Sequence, residues 1–255
     1  MKHRLIAVSL MFLLALAGVQ AVQAEEELVV SAAASLTNAF AEVGKKFEPK
    51  NPGVKVLFNF SASGPLLQQI ASGAPVDVFA SADQKTMNQA QEKNLIVPGS
   101  RKNFVRNELV LISPRAAKVQ VKSLKDLTLL EVKRITIGNP ETVPVGRYTQ
   151  EALDNEGLWK ELEPKLISAN TVRQVLDYVS RGEVDAGFVF SSEAMIAKGK
   201  VVTVMKVEKH QPIVFPLAIV AASRKKDLAQ KFIDFVLSPE GQEILGSYGF
   251  EKPER

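Results

Sequence analysis

The chain has 255 residues, 32 Lys and Arg against 28 Asp and Glu, two His and no Cys, with a net charge of +4 and a pI near 9.1. Apolar residues at 46% and charged residues at 24% describe a folded globular chain, long enough for one large domain or two small ones. Without Cys there is no disulfide, thiolate zinc site, iron–sulfur cluster or cysteine nucleophile, and two His leave little material for a zinc hydrolase or a Ser–His–acid triad.

Residues 1–24 read as an export signal. Lys2, His3 and Arg4 give a positive start, and residues 5–19 form an apolar run shorter than the roughly 18–20 residues of a membrane-spanning helix. Val22-Gln23-Ala24 then supplies small residues before a cleavage point. Cleavage there starts the mature chain at Glu25 and leaves His210 as its one histidine. It also removes Lys2 and Arg4 but no acid, so the mature charge is +2, too small to argue for nucleic acid. No cysteine follows the signal to carry a lipid. The expectation is a soluble protein of a Gram-negative periplasm.

The mature chain alternates strands and helices. The predicted order is strand 27–30, helix 34–47, strand 54–60, helix 65–72, strand 76–80, helix 83–93 and strand 109–113. A second series follows: strand 134–138, helix 147–155, strand 165–168, helix 171–181, strand 185–190, helix 192–198, strands 201–207 and 213–220, and closing helices 225–237 and 239–248. This β-α-β order predicts an α/β fold with mainly parallel sheets covered on both faces. Two lobes fit the length better than one sheet of ten or more strands. The apolar strands near Val110 and Ile219 are the candidate crossings between them. Ligands of such sheets bind beyond the strand C-terminal ends.

The informative residues lie where strands end and helices begin. Ser31-Ala32-Ala33-Ala34-Ser35-Leu36-Thr37 follows the first strand, and Ser61-Ala62-Ser63-Gly64-Pro65 follows the second. Helix N-termini offer unpaired N–H groups and the positive end of a dipole, hence a place for an anion. Neither loop contains Lys or Arg. Serine is also an ordinary helix cap, so either loop alone reads first as capping, and the two matching loops together read equally as capping or as an anion site. Pro144-Val145-Gly146-Arg147, Asn170-Thr171-Val172-Arg173 and Phe190-Ser191-Ser192 are the second-lobe counterparts.

Several blocks of sequence, in order, carry a likeness to a known family. They are Ala32 through Asn38, Ser63-Gly64 with Leu66 and Gln69-Ile70, Gly73-Ala74-Pro75-Val76-Asp77-Val78-Phe79, Ser81-Ala82-Asp83-Gln84, Pro140-Glu141 with Val143-Pro144 and Gly146, and Ser247-Tyr248-Gly249-Phe250. Together they resemble the periplasmic molybdate-binding proteins of ABC transporters over essentially the whole mature chain. The resemblance implies the two-lobed periplasmic binding protein fold. Each lobe would be a mainly parallel sheet flanked by helices, joined by a two-strand hinge, with the first lobe at 25–106 plus 216–255 and the second at 107–215. It implies a monomer that is not an enzyme and uses no cofactor. Its ligand is molybdate or tungstate, with molybdenum held as the oxyanion rather than by direct cation ligands. Its partner is a membrane permease.

In that family the oxyanion is held by hydrogen bonds without a salt bridge. The resemblance places the serine roles on Ser35 and Ser63, and backbone N–H roles on Val145 and Val172. The family's tyrosine position falls on Phe190, which has no hydroxyl. A water, Ser191 or Ser192 is the available substitute. Arg147 and Arg173 read as rim or inter-lobe salt bridges, Asp77 as a structural hydrogen-bond partner and His210 as a solvated turn residue. Trp159 reads as packing, and Arg224-Lys225-Lys226 as a solvated face. Two rivals are weighed. A serine hydrolase using Ser35 or Ser63 would have only His210 as base and lacks a Gly-x-Ser-x-Gly elbow. A binding protein for another tetrahedral oxyanion such as sulfate would use the same donors.

Overall fold

The computed structural model describes residues 25–253, so the expected export signal lies outside the described residues. The chain opens with β1 (Glu26–Ala33), a 3-10 turn at Ala34–Leu36, α1 (Thr37–Phe47), β2 (Val54–Ser61), α2 (Ser63–Ala71), β3 (Val78–Ala80), α3 (Gln84–Glu92) and β4 (Lys102–Asn107). A second group follows: β5 (Leu109–Pro114), β6 (Ile135–Gly138), α4 (Pro144–Asn155), α5 (Trp159–Leu162), β7 (Leu166–Ala169), α6 (Val172–Ser180), β8 (Ala186–Phe190), α7 (Ser191–Ile196) and β9 (Val201–Val207). The chain closes with β10 (Ile213–Ile219), α8 (Lys226–Leu237) and α9 (Pro239–Ser247).

The strands form two five-stranded sheets, ordered β2-β1-β3-β10-β4 and β7-β6-β8-β5-β9. In the first, β1 pairs parallel with β2 and β3, and β10 runs antiparallel between β3 and β4. In the second, β6 pairs parallel with β7 and β8, and β5 runs antiparallel between β8 and β9. Four strands of each sheet therefore share one direction and a single strand opposes them, which is the mainly parallel, two-lobed α/β arrangement the sequence implies. The chain crosses between sheets twice, at Asn107-Glu108-Leu109 and over 208–212. The reversed strands β5 and β10 each begin just after a crossing. Asn107 and Ile213–Phe215 pair in the first sheet, whereas the expected lobe limits put them in the second.

Local chemistry explains these elements. β5 and β8 lie inside the sheet and are buried throughout; β8 is an unbroken apolar run and β5 is apolar from Leu109 to Ile112, as suits a sheet covered on both faces. α1 turns Phe40, Val43 and Phe47 inward. Phe40 lies 5.7 Å from Phe104 and 6.0 Å from Phe232 by ring centroid, both fully buried, so α1, β4 and α8 share one aromatic core. Each such ring is worth about 1.5–3 kcal/mol of transfer free energy. Asp83, Thr171 and Ser238 cap α3, α6 and α9 through their side-chain oxygens. Asp77 has the structural role expected, accepting from Val29 N–H at 2.9 Å and from the Ser223 hydroxyl at 2.6 Å.

β4 has no counterpart among the predicted elements. Lys102, Asn103, Arg106 and Asn107 make it too polar to read as a strand, and it holds its place as an edge strand on β10 through Phe104 and Val105.

Glycines mark where backbones meet. A Cβ on Gly146 would lie 1.9 Å from the carbonyl oxygen of Gly138, so α4 can seat its first turn on the end of β6 only with glycine there. Gly146→Ala should cost about 1–3 kcal/mol through overpacking and lower Tm by several degrees, at about 2–4 °C per kcal/mol for a chain of this size. Gly246→Ala in α9, where nothing lies within 4 Å of the added carbon, should leave Tm unchanged or raise it slightly. Differential scanning calorimetry of the two variants checks the contrast.

Candidate functional site

The ends of six strands converge where the two sheets face each other. Ser35 follows β1, Ser63 follows β2 and Ala82 follows β3; Val145 follows β6, Val172 follows β7 and Phe190 ends β8. All six line one small chamber with no charged side chain in its wall. The five residues singled out in the sequence, Ser35, Ser63, Val145, Val172 and Phe190, are thus brought together from two lobes. A larger groove of about 820 Å³ runs past the other ends of β1 and β2, beside Lys50 and Arg224. Size does not pick out the candidate site; convergence of hydrogen-bond donors does.

The serines are not helix caps. Ser35 sits in the 3-10 turn, buried, and its Oγ has no hydrogen-bond partner. A buried hydroxyl without a partner costs about 1–3 kcal/mol, so this group is an open donor facing a cavity. Ser63 is the first residue of α2 and makes no capping bond. Its Oγ accepts the Ala82 N–H at 3.0 Å, which leaves the hydroxyl hydrogen free to donate elsewhere.

The second lobe presents two helix starts. Val145 is the second residue of α4, behind Pro144, and its N–H belongs to the first turn, which has no acceptor inside the helix. Val172 opens α6. Thr171 caps that helix through Gln174 N–H, leaving Val172 N–H in the same uncommitted first turn. Both helices bring the positive ends of their dipoles to the chamber.

Phe190 is 1% exposed and packs edge-on to Phe215 at 5.4 Å and to Tyr148 at 6.4 Å. No neighbouring residue supplies the hydroxyl it lacks. Ser191 donates to Asn107 Oδ1 at 2.9 Å, and Ser192 Oγ accepts from Asn107 Nδ2 at 2.8 Å, so both are tied to the first crossing. Neither lines the chamber, which sets aside the idea that they substitute. Tyr148 stands behind Phe190, outside the chamber wall. Burial, with Asp83 adding to it, pushes its phenol above the usual range and keeps it protonated.

Three contacts join the lobes around the chamber. Gly64 N–H donates to Thr142 carbonyl at 3.1 Å, and a Cβ on Gly64 would lie 2.6 Å from that oxygen. Arg147 on α4 reaches Asp83 with Nε at 2.7 Å and also with Nη2, which donates to Thr86 Oγ1 at 2.9 Å. This pair is nearly buried, at 14% and 4% side-chain exposure. Arg173 on α6 donates from Nη2 to Asn38 Oδ1 at 3.0 Å. The sequence marks both arginines as inter-lobe candidates. It gives no sign of Asp83 or Asn38 as partners, since only the fold brings residues 64 and 135 positions apart together.

Solvation does not describe His210. Its ring stands 5.7 Å from Tyr148, and its nitrogens lie 2.7 Å and 3.0 Å from the carbonyls of Gln211 and Val207 in the second crossing. It contacts neither serine. Among the described residues no helix is long and apolar enough to cross a membrane.

A chamber of neutral donors between two lobes can be compared with known proteins. The chain is 38% identical over 231 residues to the molybdate-binding protein ModA of Escherichia coli (strain K12), covering 89% of each. The periplasmic molybdate-binding protein of Azotobacter vinelandii aligns with a TM-score of 0.80 at 27% identity, covering 89% of this chain and all of that one. The sulfate-binding protein SubI of Mycobacterium tuberculosis H37Rv aligns at a TM-score of 0.78, covering 90% of this chain and 88% of its own, but at 16% identity shares the fold alone. A description of the bacterial extracellular solute-binding proteins matches residues 28–251. Matched across nearly all its described length, the chain belongs to the bacterial extracellular solute-binding protein family.

Proposed function

We propose that this protein captures molybdate, and the similar tungstate, between its lobes in the periplasm and delivers it to the membrane permease of an ABC transporter. The observation that carries this reading is the Ser35 hydroxyl, buried and without a partner at the wall of a chamber that holds no charge. The relatives named molybdate-binding give the ligand its identity.

The mechanism is hydration replaced by fixed donors. A tetrahedral dianion is costly to take out of water, so its shell must be substituted by N–H and O–H groups. Ser35 and Ser63 give hydroxyls from the first lobe. The first-turn N–H groups of Val145 and Val172 approach from the second. A wall made of donors also rejects a protonated oxyanion such as hydrogen phosphate, whose own O–H finds no acceptor. Sulfate carries no proton but is smaller, so its bonds to the same donors are stretched. Because the donors come from both lobes, the ligand favours the closed state, the form a permease would receive. The lobes on this reading divide at the two crossings, near 108 and 208–212.

A thermal-shift panel tests the function, since a ligand that binds only the folded state raises Tm. Micromolar molybdate and tungstate should raise Tm alike, with sulfate and phosphate giving far smaller shifts. An equal response to sulfate would redirect the reading to that anion.

The serines should separate stability from binding. Ser35→Ala deletes a group with no partner and should leave the ligand-free Tm unchanged or higher. Ser63→Ala orphans the Ala82 N–H and should cost about 1–3 kcal/mol. Each should weaken molybdate binding about 10- to 150-fold, the worth of a hydrogen bond to a charged group, by titration calorimetry.

Phe190→Tyr should tighten molybdate binding within the same range of about 10- to 150-fold, by restoring a hydroxyl at the chamber wall. Equal or weaker binding by calorimetry would sink that assignment.

A further inference from the structure

We infer that Glu193 is a positioning residue for lobe closure, acting through Arg173 on Asn38 of the opposite lobe. The side chain of Glu193 on α7 is wholly buried. Arg173 Nη2 donates to Glu193 Oε1 at 3.2 Å, and Nε lies 3.1 Å from Oε2. That second approach is off the hydrogen-bond axis, and Oε2 has no hydrogen bond. The same Nη2 donates to Asn38 Oδ1 at 3.0 Å. A guanidinium Nη carries two hydrogens, so one goes to each lobe. The fork is planar and rigid, and fixing one hydrogen fixes the direction of the other. Arg173 follows Val172 at the start of α6, so the contact stands directly beside the chamber.

A buried carboxylate is an expensive way to orient an arginine. Burial chiefly lifts the Glu193 acid to about 7, Arg173 opposes the rise, and Asp177 adds to it. Arg173 and Asp177, both on α6, are the charged groups that face it. Lys206, on the neighbouring β9, is taken up by Glu108. The sign of the stability term follows. A carboxyl raised in the folded state binds more protons than in the unfolded chain, so its contribution falls as pH rises from the ordinary carboxylate range to about 7. The ionised form therefore costs global stability. If its role were only to support the fold, a neutral residue would serve better. Orienting Arg173 requires the charge.

The contact weakens as pH falls through about 7 and Glu193 takes up a proton. A dianion in the chamber acts on the acid in the same sense, because its field favours the neutral form, and the neutral acid in turn repels the dianion less. Removing Asn38 separates the two effects, since that variant keeps the field and loses the contact. Asn38 is exposed, so the substitution leaves the core untouched.

The amide of Gly64 reports closure, because its acceptor, Thr142, lies on the opposite lobe. Hydrogen exchange at Gly64 is compared at pH 8, without ligand, in the wild type, E193Q, N38A and the double variant. Each single variant should speed exchange about three- to tenfold, the effect of a charge-assisted hydrogen bond reduced by exposure, and the double should be no faster than either. The difference between wild type and N38A should shrink at pH 6. The Tm of E193Q should be unchanged or higher. Unchanged exchange in E193Q, or effects that add in the double variant, would overturn the inference. Molybdate release rates should follow the same pattern. That arm rests on the proposed ligand, and a wild type that binds no molybdate sinks the ligand while the exchange data still decide the role of Glu193.

Discussion

A buried chamber whose wall carries no charged side chain can hold an ion only by hydrogen bonds, and this constraint organises the molecule. Neutral donors are weak singly, so several must point at one place from fixed positions. Strand C-terminal ends in an α/β sheet provide that arrangement, because each leads into a turn and then a helix whose first N–H groups have no acceptor. Two sheets with four strands in one direction give six such ends across one seam. The alanines and glycines of these loops belong to the same logic. Ala33, Ala34 and Ala62 keep side-chain bulk away from the chamber, and Gly64 lets backbone meet backbone across the seam.

Charge is present, but placed to one side. Arg147 with Asp83, and Arg173 with Glu193, stand beside the chamber without lining it. Each arginine is matched by a carboxylate, so neither offers a free counterion to the cavity. Their geometry joins lobes instead of neutralising a ligand. A site of this kind discriminates by proton content and size, because a net positive field would attract any anion alike.

Most of the fold was legible in the sequence because its elements are periodic and its turns carry standard chemistry. β9 has the bounds expected for it, and Thr171 caps the helix it precedes. β4 was not legible, since an edge strand that buries only part of its length has little reason to be apolar. The positions of Ser35 and Ser63 could be read, but their state could not. Serine before a helix looks the same whether it caps or waits for a ligand, and only the missing partner of Ser35 Oγ and the Ala82 bond of Ser63 separate the two. The partners of Arg147 and Arg173 were beyond reach for a different reason: contacts between lobes depend on the crossings, and no local pattern encodes them.

The place of β10 in its sheet has a consequence for how the molecule comes into being. It lies between β3 and β4, yet it is the last strand of the chain. Until residues 213–219 arrive, β3 and β4 have no ladder joining them, and the first lobe has an open gap at its middle. Every strand of the second sheet, by contrast, comes from the single stretch 109–207 and needs nothing outside it. As a chain emerges from its N-terminus, the lobe begun second is the first that can be completed, and the lobe begun first is finished last. β3 and β4 stay unjoined until the arrival of a segment that follows the whole of the second sheet in the chain. The order in which the two sheets can be completed thus runs against sequence order, imposed by one strand set into the interior of a sheet.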